Sequence, residues 1–187
     1  MEAIVLAGSP ASGKTVAAVA ISKILGVPLV GGTDILKQMA IEKGYKPGGE
    51  DWWDKGEGIR FLEERKTNPE FDKETDRRMA KVIKKGNVVT TSATAPWIIE
   101  EGFKVWIAAS KETRAVRMAK RDHMELTQAE RVIAERDEKN RKLYMALYKI
   151  DFGHDTKPFH LVVETDNMTE DQVVQMILDN FKKRNKM

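Results

Sequence analysis

One stretch near the start of the chain, "EAIVLAGSPASGKTVAAVAISKILG", constrains the fold more than any other. The apolar run from Glu2 to Ala7 reads as a buried strand, stopped by Gly8. Gly8 to Thr15, "GSPASGKT", then fits the pattern G-x-x-x-x-G-K-[ST]. From Lys14 the apolar residues fall at helical spacing, and Gly26 is a candidate C-cap. A strand, a glycine-bounded loop and a helix in that order turn backbone N–H groups and a helix N-terminus onto an anion. Chance produces the pattern in roughly 1% of chains this long, and its context makes it more specific still. We therefore expect a bound nucleoside triphosphate, ATP with Mg2+. The cradle is Gly8, Ser9, Pro10, Ala11, Ser12, Gly13, Lys14 and Thr15. Lys14 brings a point charge to the β- and γ-phosphates, and Thr15 offers a hydroxyl to Mg2+.

The rest of the chain repeats the strand–helix rhythm. "VPLV", "NVVTTS", "FKVWIAAS" and "FHLVVET" read as four further strands. "GGTDILKQMAIEKG" reads as a helix with Thr33 or Asp34 as N-cap and Gly44 as stop. "FDKETDRRMAKVIKKG", capped by Asp72, is the next helix, followed by "KETRAVRMAKRD", "TQAERVIAERDEKNRKLYMALYKID" and "TEDQVVQMILDNFKKR". Alternation of this kind predicts an α/β fold: a five-stranded parallel sheet with helices on both faces. The 187 residues suit a single domain, 1–187. Residues 45–70 break the rhythm with glycines, charges and the adjacent Trp52 and Trp53, and read as an insert that is helical near Ile59 to Arg65. Trp106, inside a strand, is expected in the core.

Composition removes other classes. The net charge is only +3, so neither nucleic acid nor a membrane surface is an expected partner. There is no cysteine, which excludes disulfides, thiolate catalysis and Cys-based zinc sites. His123, His154 and His160 share no metal-ligand spacing. No signal peptide and no apolar run of about 18 residues is apparent, so we expect a cytoplasmic location. The sequence does not specify an oligomeric state.

A phosphate-cradling loop serves switches, motors and kinases alike. The D-x-x-G and N-K-x-D patterns of GTPases do not occur, and no strand ends in the Asp-Glu of ATPase motors. Arg114, Arg117 and Arg121 share one helix face, and Arg131, Arg136 and Arg141 follow on the next helix. Converging guanidiniums suit the charge that spreads over a phosphoryl group in transfer. That favours a kinase over the other two.

Taken together the chain resembles nucleoside monophosphate kinases, and among them the archaeal-type cytidylate kinases. The resemblance rests on "GSPASGKT", "GGTDILKQMA", "NPEFDKETDRRMAKVIKKGNVV", Trp97 after the third strand and "ERDEKNRKLY". It implies a P-loop NTPase fold, an acceptor-binding insert at about 45–70 and a small lid at about 121–136. It implies Arg117 and Arg121 at the start of the lid, with Arg136 and Arg141 at its end, as catalytic cations beside Lys14. On the acceptor side it implies Lys37, where the family usually has arginine, and Arg77 or Arg78, with Thr91 and Ser92 after the third strand. Asp34 joins Thr15 near the Mg2+. The implied acceptor is a small molecule, a nucleoside monophosphate, with CMP first. Ala93 departs from the family, which usually has an arginine there; a substitute cation would come from Arg60 or Arg78. Other small phosphorylated or hydroxylated acceptors, and a nucleotide-binding protein that has lost transfer, remain alternatives.

Overall fold

The structure, a computed structural model, describes residues 1–46, 56–68 and 70–186. In chain order the elements are β1 (Ile4–Ala7), α1 (Lys14–Leu25), β2 (Leu29–Gly31), α2 (Gly32–Glu42), α3 (Gly56–Thr67), α4 (Glu70–Lys85), β3 (Val89–Thr91), α5 (Ala95–Ile98), β4 (Phe103–Ala108), α6 (Lys111–Asp122), α7 (Leu126–Tyr148), β5 (Leu161–Glu164) and α8 (Glu170–Arg184). The sheet order is β2-β3-β1-β4-β5. Every pairing is parallel, with Ile4 opposite Val89 on one side and Phe103 on the other.

β1 is central, and all four of its residues are buried. Parallel sheets are covered on both faces, which is why the run is apolar without alternation. Successive side chains still part to opposite faces. Ile4 and Leu6 enter a core with α1 and α8, built on Ile21, Ile177 and Phe181. Ala3 and Val5 enter another with α2 and α4, built on Met39, Met79 and Ile83. The connections leaving β1 and its neighbour β3 run to opposite sides of the sheet. That opens a crevice beyond their C-terminal ends, where open α/β sheets bind ligands.

Several boundaries move from their expected places. β2 spans Leu29–Gly31 rather than Val27–Val30. The N-cap of α2 is Gly31, not Thr33 or Asp34: Asp34 sits at the third helical position and accepts the Gly31 N–H at 2.7 Å. α2 ends at Glu42 with Lys43 as its C-cap, and Gly44, left-handed at φ 87°, stops it there as expected. Asp72 lies in the first turn of α4, and Asn68 Oδ1 accepts the Glu70 N–H at 3.0 Å instead. The short α5 has no expected counterpart. α8 does begin at its capping residue, where Thr169 accepts the Gln172 N–H and Gln172 returns the bond.

The insert is helical over Gly56–Thr67, and its Phe61 is fully buried between Tyr45 and Phe71. Trp52 and Trp53 lie outside the described residues. Trp106 is in the core as expected, edge-on to Trp97 and beside Phe152 and Phe159. Among the described residues no helix is long and apolar enough to cross a membrane.

Candidate active site

The loop joining β1 to α1 is shaped by its small residues. A Cβ on Gly8 would lie 2.5 Å from the Ile107 carbonyl oxygen and 2.7 Å from Ser12 Oγ. Gly13 has φ 98° and Ala11 φ 61°, both left-handed. For alanine that conformation costs about 1–2 kcal/mol. Its methyl group finds compensation, packing against Ala115, Met118, Ala129 and Ile133 at the base of the α6–α7 hairpin. Ser12 is buried, and its Oγ has no hydrogen-bond partner among the described residues. A buried hydroxyl left so costs about 1–3 kcal/mol, and a phosphate oxygen in this loop would fit as its partner. Gly8→Ala is expected to weaken ATP binding by ~10- to 100-fold, since overpacking against a backbone oxygen costs about 1–3 kcal/mol and moves the loop. Titration calorimetry checks it; unchanged affinity would show that the loop adapts.

Lys14 opens α1 and lines a cavity of about 740 Å³ with Thr15, Arg117, Lys120, Arg121 and Met168. That volume accommodates a nucleotide-sized ligand. Lys14 Nζ donates to the Ser9 carbonyl at 3.2 Å. Burial, then the charges of Arg136, Arg114 and Arg121, push its ammonium down to about 8. No carboxylate among the described residues pairs with it. A cation crowded by cations is held in a place that favours an anion.

The arginines expected at the lid separate. Arg121 lines the cavity and turns its guanidinium onto Asp122 at 2.6 and 2.7 Å. Arg136 is exposed and is not on the cavity wall; its positive charge contributes to the lowering of Lys14. Arg117 ties the cavity walls together, donating to the Ser12 carbonyl at 3.0 Å and to the Thr165 hydroxyl and carbonyl at 2.9 Å each. Arg141 is drawn off to Asp151 at 2.8 Å. Arg114 is buried and faces Asp137 rather than the cavity.

The second cleft, about 140 Å³, lies beyond the C-terminal end of β3. Thr91, Ser92 and Ala93 line it together with Leu36, Asp72, Asp76, Tyr144 and Tyr148. Ser92 Oγ accepts the Ala95 N–H at 3.1 Å. Asp76 accepts the Thr94 hydroxyl at 2.6 Å and, on its other oxygen, a short bond from the Tyr148 hydroxyl. Burial and that carboxylate push the Tyr148 phenol above its ordinary range. Asp76 and Tyr148 are not among the site residues expected from the sequence. Their signal was the four-residue spacing of Asp72 with Asp76 and of Tyr144 with Tyr148, each pair on one helix face.

The remaining expected acceptor residues are not on the cleft wall. Arg78 is held by both oxygens of Glu42, at 2.7 and 2.8 Å, and by Glu74 at 2.8 Å. Arg77 pairs with Glu74 at 2.8 Å and Glu70 at 3.5 Å. Arg60 pairs with Glu57 at 3.5 Å and is largely exposed. Lys37 is half-buried, with no carboxylate within 4.0 Å among the described residues. Asp34 keeps one oxygen clear of the Gly31 bond. A Cβ on Gly31 would lie 3.2 Å from Thr91 Oγ1 and 3.4 Å from Asp34 Oδ2, so these two side chains flank the same backbone. Among the described residues no three His, Asp or Glu cluster as a metal site. Mg2+ held by one hydroxyl and triphosphate oxygens needs no such cluster, so the residues present fit that mode, in which Thr15 would be the protein ligand.

The family model for the cytidylate kinase-like family matches residues 3–167. The chain belongs to the cytidylate kinase-like family. It is 35% identical over 181 residues to "Cytidylate kinase" of Pyrobaculum aerophilum, covering 96% of this chain and 92% of that one. With "Cytidylate kinase" of Pyrococcus horikoshii it shares 32% over 175 residues, covering 93% and 85%. Among solved structures, an uncharacterized protein from Eubacterium ventriosum superimposes with TM-score 0.66 at 14% identity, over 97% of this chain and 99% of that one. A shikimate kinase from Acinetobacter baumannii follows with TM-score 0.57 at 16% identity, over 98% and 94%. These two likenesses concern the fold alone. As a member of the cytidylate kinase-like family the chain is an ATP-dependent kinase of a small-molecule acceptor, of the P-loop kinase superfamily.

Proposed function

We propose that the chain transfers the γ-phosphoryl group of ATP to CMP. The observation that carries the donor side is Lys14: half-buried, among three arginine charges and unpaired by any described carboxylate, beside a cavity of nucleotide size. The acceptor rests on the likeness, over more than nine-tenths of this chain, to archaeal proteins named cytidylate kinase. In this reading the backbone N–H groups of the Gly8–Thr15 loop, all but that of Pro10, which has none, hold the triphosphate. Lys14, Arg121 and Arg136 stabilise the charge of the transferred group, and Arg117 keeps the walls of the cavity together. Thr15, with Asp34 near the ion, would hold Mg2+, which would supply neutralisation of phosphate charge. Transfer is in line, and positioning with electrostatics suffices without a covalent intermediate on the protein. Thr91 and Ser92 border the acceptor, and Lys37 and Arg60 supply cations. Arg77 and Arg78 reach the acceptor only by leaving Glu70, Glu74 and Glu42, so their roles require closure of the insert.

A second reading is favoured by one observation. Among the described residues, the cleft wall carries Asp72 and Asp76, with Ala93 and no lysine or arginine. That environment suits a hydroxylated acceptor without a phosphate. An acceptor screen separates the readings by measuring ADP release with ATP and Mg2+, first on nucleoside monophosphates and then on small hydroxylated metabolites. We expect CMP to be the best acceptor, with Ala93→Arg changing its kcat/KM little. If the second reading holds, wild-type turnover of CMP is poor. Ala93→Arg then raises it ~10-fold or more, a charged bidentate contact being worth roughly 1.5–3 kcal/mol. ADP release that no acceptor accelerates would point to a protein that has lost transfer.

A further inference from the structure

Arg114 is the most buried charged side chain among those paired in the lid region, with only 5% of its side chain exposed. It does not reach the nucleotide cavity. Its guanidinium grips Asp137 with two parallel bonds, Nη1 to Oδ1 at 2.9 Å and Nη2 to Oδ2 at 2.7 Å. Its Nε donates to the Ala109 carbonyl at 3.2 Å, and Nη1 also reaches the Pro10 carbonyl at 3.4 Å. One planar group thus touches the end of β4, the nucleotide loop and α7.

Two features give this junction a consequence. Asp137 continues the stripe Ala129 and Ile133, spaced by four residues along α7 and packed against α6. A bidentate grip on that stripe fixes how α7 is rotated about its axis. The next residue back is Arg136, whose side chain projects about 100° around the helix from Asp137. Its charge is felt at Lys14. The other feature is the loop. Residues Pro10, Ala11 and Ser12 are each held from α6: by Arg114, by the apolar seam of Ala115 and Met118, and by Arg117.

We infer that Arg114 is a positioning residue: through Asp137 it aims Arg136 at the phosphates, and through the Pro10 carbonyl it holds the loop in its ligand-ready shape. The inference rests on the reading of the loop as an ATP site. Arginine is required because lysine, with a single point charge, cannot span two carboxylate oxygens and a carbonyl in one plane.

The test is a double-mutant cycle on ATP affinity, measured by calorimetry with Mg2+ and no acceptor. We expect Arg114→Gln and Arg136→Ala each to weaken ATP ~10-fold, and the double variant to bind no more weakly than Arg114→Gln alone, ~10-fold in total rather than ~100-fold, because the two act as one unit. A purely structural Arg114 lowers the melting temperature but leaves the effects multiplicative. Multiplicative losses, unchanged affinity in Arg114→Gln, or unchanged affinity in Arg136→Ala would each overturn the inference. Should Arg114→Gln fail to fold, Asp137→Asn takes its place in the same cycle; it keeps the volume and one acceptor oxygen. Wild-type protein that does not bind millimolar ATP overturns the nucleotide reading itself, an outcome distinct from a failed coupling.

Discussion

Lys14→Ala is expected to slow phosphoryl transfer by at least ~100-fold while leaving the fold intact, because it removes a charge aimed where negative charge develops. The side chain makes one hydrogen bond to its own loop and sits among arginines, so its loss also relieves repulsion in the ligand-free protein. Its proton offers a second readout. In the free protein the ammonium titrates near 8 instead of the ordinary 10.5, lowered first by burial and then by Arg136, Arg114 and Arg121. A folded-state value below the unfolded one means that the unfolded chain binds more protons between those limits. This group therefore makes the ligand-free protein more stable as pH rises from about 8 toward 10.5. Triphosphate reverses the balance by favouring the charged amine. Binding of ATP should then take up protons above pH 8. Calorimetry in two buffers of different ionisation enthalpy measures that uptake, and Lys14→Ala should abolish the Lys14 share. An unchanged transfer rate in a folded variant would sink the assignment of the loop.

Phe61→Ala should carry the largest cost in stability, about 3–5 kcal/mol for emptying a buried aromatic site. Phe61 has no exposed surface and meets Tyr45 and Phe71 edge-on, with ring centres 5.5 and 5.4 Å away. It anchors α3, which is also tied by polar bonds, from Lys43 and from the Tyr45 hydroxyl to Glu64. The helix is therefore expected to detach before the sheet unfolds. Proteolysis within residues 56–67 should quicken, and the acceptor KM should rise more than the ATP KM. Equal changes in both constants would argue that the insert does not belong to the acceptor side.

Legibility followed the distance along the chain over which a feature is defined. The nucleotide loop was readable because strand, glycines, Lys14 and helix start lie within about a dozen residues, and backbone sterics act locally. The five strands were readable because buried parallel strands are apolar runs, although β2 was displaced to reach its register with Val89. The α2 cap was misplaced because Asp34 can satisfy the backbone N–H of Gly31 from inside the helix as well as from its end.

The sequence by itself determined the α/β alternation, the phosphate-binding loop and the presence of many arginines on the helices that follow β4. Tertiary structure alone decided what each arginine does. A guanidinium takes whichever carboxylate or carbonyl the packing brings within about 3 Å, and periodicity along one helix does not reveal the partner on another. Arg78 went to Glu42, 36 residues away, and Arg114 to Asp137, 23 residues away. Asp76 met Tyr148 across 72 residues. The same guanidinium chemistry, placed by different helices, thus yields a cavity wall in Arg121, a clamp on the loop in Arg117 and a brace behind the site in Arg114.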